Sequence, residues 1–180
     1  VQDALDLIEF ANGPVTSIWG KVRADMGHPA PFNLKMIGIG NENWGPQYVE
    51  RLKVFQTTLK QRYPAIQLVC SAGAAYEGEM FEFLDKELRR LNADFIDEHY
   101  YSRPEWFLNN ARRYDGYDRK AASKIFAGEY AAQSDRVVSA DNQNNWRTAL
   151  AEAAFMTGLE RNADVVRMAN VAVNSLAGAA

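Results

Sequence analysis

The chain has 180 residues, a net charge of −3, and 47% hydrophobic and 24% charged residues; this make-up excludes intrinsic disorder and leaves no basic surface for a nucleic acid or an anionic membrane. A single cysteine, Cys70, rules out an internal disulfide, and with only two histidines, His28 and His99, a Cys/His zinc site is ruled out too. No apolar run approaches the roughly 18 residues of a membrane span, and Val1-Gln2-Asp3-Ala4 lacks the order of a signal peptide.

A start without Met reads as a chain processed or cut from something longer, so cytoplasm, periplasm and secretion all stay open. The first helix is expected over 1–12, with Leu5, Ile8 and Ala11 on one face and Gly13-Pro14 as its stop; a loop then follows. Residues 36–41 form a short apolar run, read as a strand buried on both faces. Pro46 opens a helix carrying Val49, Leu52, Phe55, Leu59 and Tyr63, closed by Pro64. Strands are expected at 66–71, 95–101, 124–130 and 165–169. The helices between them carry Met80, Leu84, Leu88 and Leu91, then a weaker stretch over 104–114, then a helix capped by Asp141 that runs to Arg161.

Strand starts about 30 to 40 residues apart describe a βα repeat, hence α/β, as an open doubly wound sheet or a (β/α)8 TIM barrel. A barrel needs at least about 200 residues, so five strands make a partial one: residues 1–180 are read as a single unit, the C-terminal part of a barrel.

Two of these strands end in chemistry. Gly40-Asn41-Glu42-Asn43-Trp44-Gly45 crowds an acid, two amides and an indole at a strand end, and Gly128-Glu129-Tyr130 repeats the placement three strands later. A dinucleotide turn is not supported, because Asn43 stands where its third glycine belongs; the plain alternative is that Asn41 and Glu42 cap the following helix. In a ring of eight, strands three apart face each other across the mouth, so Glu42 and Glu129 would share one cavity. That is the requirement of glycoside hydrolysis, with neighbouring charge and burial setting the two carboxyls apart in pKa. Asp97-Glu98-His99-Tyr100-Tyr101 ends the strand between them. There His99 either orients a carboxylate or is a satisfied core histidine. Trp44, Tyr48, Trp106, Tyr130 and Trp146 are rings able to stack on sugars, with Tyr48 and Trp146 at helical spacing and expected in the core.

Taken with the stretch Phe32 to Pro46, with His99-Tyr100-Tyr101 and with Gly128-Glu129-Tyr130-Ala131, the chain resembles the α-L-arabinofuranosidases of glycoside hydrolase family fifty-one, within the clan of retaining (β/α)8 glycosidases. The resemblance implies Glu42 as acid/base, Glu129 as nucleophile, and Asn41 on the sugar 2-hydroxyl. Tyr101 matches a tyrosine beside the nucleophile, and Trp44, His99, Trp106 and Tyr130 join the substrate-binding set. It implies a partner that is an arabinose-containing oligosaccharide or polysaccharide, no metal, no organic cofactor, and a homo-oligomeric parent. It also implies barrel strands one to three and a C-terminal β-sandwich outside these residues, so that this chain alone is expected to be inactive and to self-associate through open sheet edges. The alternatives are another retaining glycosidase of the clan, a xylosidase or endoglucanase, and a non-catalytic carbohydrate-binding fragment.

Overall fold

The computed structural model describes residues 1–137 and 139–172. Its elements are α1 (Gln2–Asn12), α2 (Ile18–Asp25), β1 (Met36–Ile39), α3 (Pro46–Arg62), β2 (Gln67–Ser71), α4 (Glu79–Arg90), β3 (Phe95–Ser102), α5 (Pro104–Asn109), β4 (Lys124–Ala132), α6 (Trp146–Arg161) and β5 (Val166–Val171). The strands form one five-stranded sheet in the order β1-β2-β3-β4-β5, every neighbouring pair parallel. Parallel neighbours need a crossover, and here each crossover carries a helix.

The core lies between the sheet and those helices. Leu52 and Leu59 of α3, Leu84 and Leu88 of α4, Phe107 of α5 and Phe155 of α6 are buried together with Leu68, Ile96, Tyr100, Ile125 and Tyr130 from the strands. Removing one such leucine to Ala costs about 2 to 5 kcal/mol, so the apolar periodicity of the helices sets the framework. Because side chains alternate along a strand, Asp97, His99 and Tyr101 of β3 take the opposite face.

Four expectations are corrected. The loop after α1 contains α2, eight residues begun by Ser17, whose side chain accepts the Gly20 N–H. An isolated helix of this length is marginal in water. Arg23 supplies the missing stability: it is fully buried and donates Nε to His28 O at 3.0 Å, Nη1 to Phe10 O at 2.7 Å and Nη2 to Pro29 O at 3.2 Å. The helix expected over 104–114 stops at Asn109, where Asn110 Nδ2 turns back to Trp106 O. The cap of α6 is Asn145 and not Asp141: Asn145 and Thr148 form a reciprocal capping box, while Asp141 lies in a loop gathered around buried Asn142. Trp146, expected in the core, is 77% exposed as the first residue of that helix.

Arg23→Met leaves three part-buried carbonyl groups without their donor. The expected loss is about 3 kcal/mol or more, read as a lower urea midpoint with an unchanged slope.

Candidate active site

β1 ends at Ile39, and the chain leaves it through a tight turn. Gly40 has φ +86°, and a Cβ there would overlap the Asn43 side chain, whose Oδ1 accepts the Asn41 N–H at 2.9 Å. Glu42 itself has φ +51°, a region that non-glycine residues occupy rarely, so its backbone is held there by its surroundings. Tyr48 of α3 anchors the turn. Its buried hydroxyl donates to Ile39 O at 2.7 Å and accepts the Ser71 N–H at 2.9 Å, joining the ends of β1 and β2. Burial pushes the Tyr48 pKa upward, which keeps the proton this bridge needs.

The second half of the site depends on a register shift. Glu98 pairs with Ala127 but His99 pairs with Glu129, so Gly128 is an extra residue in β4. The insertion changes the phase of the strand and puts Glu129 beside His99. Only glycine fits the position, because a Cβ would overlap the Asp97 carboxylate.

His99 is 2% exposed and stands between the acids. Its Nδ1 lies 3.0 Å from Glu42 Oε1 and 3.6 Å from Glu129 Oε2, and its Nε2 lies 3.3 Å from Asp97 Oδ2. Burial alone pulls an imidazolium pKa down. Hydrogen bonds to Asp97 and Glu42 and the charges of Asp97 and Glu129 outweigh it and raise His99 to about 9. Tyr101 Oη donates to Glu129 Oε2 at 2.8 Å; burial and that carboxylate raise its pKa, so it stays a donor. Glu129 Oε1 takes no hydrogen bond from the described residues.

Glu42, His99 and Glu129 form the one group of potential metal donors among the described residues, with donor atoms within 4.8 Å of one another. Two carboxylates, each about one third exposed, with a histidine between them also suit proton transfer.

Glu42, Glu129, His99 and Tyr101 are thus brought together. Asn41 and Trp44 lie in the same turn as Glu42, Trp44 being 61% exposed. Trp106 and Tyr130 are not brought there. Tyr130 is fully buried against Phe107 and Phe155, and the Trp106 ring packs on Tyr76, Tyr100, Phe107 and Phe155 on the helix side. Glu98 and Tyr100 also face the helices. Glu98 accepts from Tyr100, Tyr114 and Arg113, and burial raises its pKa despite the Arg113 charge. Sequence reasoning did not single out Asp97, Gly128 or the Tyr48 hydroxyl as site groups. The one available signal was glycine directly before an acid at a strand end.

An imidazolium raised from 6.5 to about 9 stabilises the fold fully below about pH 6.5, and that contribution is lost as pH rises through 9. A ¹H–¹⁵N titration should place the His99 ring near 9, and Glu42→Gln should lower it by removing an acceptor charge.

Residues 1–119 match the family model described as the alpha-L-arabinofuranosidase 1 domain, and residues 128–177 match the alpha-L-arabinofuranosidase C-terminal domain. In the described part of the second stretch, the end of β4, α6 and β5 continue the same sheet. The chain is 50% identical over 173 residues to an extracellular exo-alpha-L-arabinofuranosidase of Streptomyces chartreusis, which covers 96% of the chain and 20% of that protein. It is 38% identical to alpha-L-arabinofuranosidase 2 of Arabidopsis thaliana, covering 96% of the chain and 23% of that protein. It therefore spans about a fifth to a quarter of the length of these relatives. Among solved structures, the arabinose-bound alpha-L-arabinofuranosidase MgGH51 superposes with a TM-score of 0.71 at 33% identity, over 95% of this chain and 27% of that one. A family 51 enzyme of Bifidobacterium longum shares the fold, with a TM-score of 0.74 at 20% identity over 95% and 44% of the two chains. With a family match across more than half of its length, the chain belongs to the alpha-L-arabinofuranosidase 1 domain family.

Proposed function

We propose that these residues carry the catalytic carboxylates of a retaining exo-acting α-L-arabinofuranosidase, whose ligand is an arabinose-containing oligosaccharide or polysaccharide. The observation that carries this reading is the approach of Glu42 and Glu129 to within 4.8 Å, nearest to the separation of about 5 to 5.5 Å used by retaining enzymes and below the 6.5 Å or more that leaves room for an attacking water. Glu129, steadied by Tyr101 on Oε2, attacks the anomeric carbon through Oε1 while Glu42 protonates the leaving oxygen. Glu42 then takes a proton from the water that releases arabinose, and both residues return to their starting states. This chemistry asks for neither metal nor organic cofactor. Asn41 and Trp44, in the Glu42 turn, are placed to meet the sugar hydroxyls and one of its faces.

The same proposal assigns the chain to strands four to eight of a (β/α)8 barrel. An unbroken strand order with no reversal suits a barrel wall, because a doubly wound sheet reverses direction at a switch point. β1 is a free edge among the described residues. Beside it a cavity of about 320 Å³, lined by Ile37, Ile39, Trp44, Leu52 and Phe55, offers the apolar surface that a preceding βα unit would cover. The enzyme to assay is therefore the full-length protein.

In that protein, Glu129→Ala should reduce turnover of an aryl α-L-arabinofuranoside by at least about 10⁴-fold, in line with losing a nucleophile that cannot be bypassed. Glu42→Ala should lose far more rate with poor leaving groups than with an activated phenol, which departs without a proton. Turnover of an aryl β-D-xyloside in preference to the arabinofuranoside, abolished by the same variants, would move the assignment to another sugar of the clan.

A further inference from the structure

Asp97 has no part in the steps just written, yet both halves of the site converge on it. It precedes His99 by two residues on β3, so the two side chains share a face. Its Oδ2 lies 3.3 Å from His99 Nε2. Its Oδ1 is buried without a hydrogen-bond partner among the described residues, and it rests where any side chain at Gly128 would stand. A carboxylate oxygen buried without a partner is costly, so packing alone would favour a neutral residue here.

We propose that Asp97 is a positioning residue for the reaction: it fixes the His99 imidazole through Nε2 so that Nδ1–H is aimed at Glu42 and Glu129, and by seating on Gly128 it ties that aim to the register shift that presents Glu129. The inference rests on the glycosidase reading above. For both contacts of His99 to be hydrogen bonds, each ring nitrogen must carry a proton, and an anionic acceptor at Nε2 secures this. The charged and titratable groups facing His99 are Glu42 from the turn after β1, Asp97 and Tyr101 from β3, and Glu129 from β4. Behind Asp97 lie Tyr48 and Cys70. Both are neutral, burial raising the thiol to about 12 and the phenol further, so neither replaces the Asp97 charge.

His99 keeps both protons throughout, while Glu42 loses its proton to the leaving group and regains one from water. When Glu42 becomes a carboxylate in the first step, the Nδ1–H already aimed at its oxygen stabilises the new charge without reorganisation. Loss of the Asp97 charge weakens that donor at the pH where the imidazole would otherwise become neutral.

Asp97→Asn in the full-length enzyme tests this, since it keeps the size of the side chain and removes the charge. The His99 ring, followed by ¹H–¹⁵N correlation and assigned by its loss in His99→Gln, should titrate more than one pH unit below the wild type. The alkaline limb of kcat/KM for the aryl α-L-arabinofuranoside should move down with it, so that activity at pH 8 falls about 10- to 100-fold, the range seen when a group orienting a histidine is removed, and activity at pH 6 falls less. If the variant folds poorly, Asp97→Ser carries the same test. An unmoved His99 titration, or a loss of activity equal at every pH, would overturn the proposal. Failure of the glycosidase reading looks different: wild-type protein would not turn over the arabinofuranoside, while the ring titration would still decide whether Asp97 controls His99.

Discussion

Glu42 and Glu129 come within 4.8 Å of each other, and the group that stands between them is His99, whose imidazole holds its proton. It is almost wholly buried, which would normally drive off its proton, and three acidic neighbours reverse that outcome. The rest of the site can be understood as support for this one group. Asp97 holds it from behind, Glu42 and Glu129 face its Nδ1, and Tyr101 supplies Glu129 with a second donor.

The sheet makes this possible by giving its two faces different tasks. On β3, Ile96, Glu98 and Tyr100 turn toward the helices, where Tyr100 joins Trp106, Phe107 and Phe155 in an aromatic layer, while Asp97, His99 and Tyr101 line the other face. A strict alternation in β4 would not have placed Glu129 opposite His99; the extra residue Gly128 restores the match. The strained turn at Glu42 does the equivalent work at the end of β1, stitched to β2 by a single phenol from α3. Functional geometry here is concentrated at places where regular secondary structure is interrupted.

That pattern also explains what could be read from the residues. The βα alternation, the buried strands and the acids at their ends were legible because apolar runs and helical spacing report burial directly. Glu42, Glu129 and His99 were read from strand ends, because parallel strands bring those ends to one side of the sheet, whereas Tyr101 was placed by the family resemblance. Tyr130 and Trp106 were misplaced because a ring beside an acid looks the same whichever face it takes, and the bulge at Gly128 that decides the face leaves only a glycine as its trace. α2 was missed because tertiary bonds from Arg23 hold it, more than its own periodicity. Asp141 and Asn145 are both competent caps by type, and the choice between them was made by Thr148, three residues after Asn145.

Whether Glu42 and Glu129 act as acid/base and nucleophile of a double displacement is read out by the stereochemistry of transfer. With an aryl α-L-arabinofuranoside as donor and methanol as acceptor, ¹H NMR of the full-length enzyme's product should show methyl α-L-arabinofuranoside, the outcome of two inversions through a glycosyl-Glu129 intermediate. Formation of the β-anomer, or hydrolysis to β-L-arabinofuranose as the first-formed sugar, would mean a single displacement with no glycosyl-Glu129 intermediate.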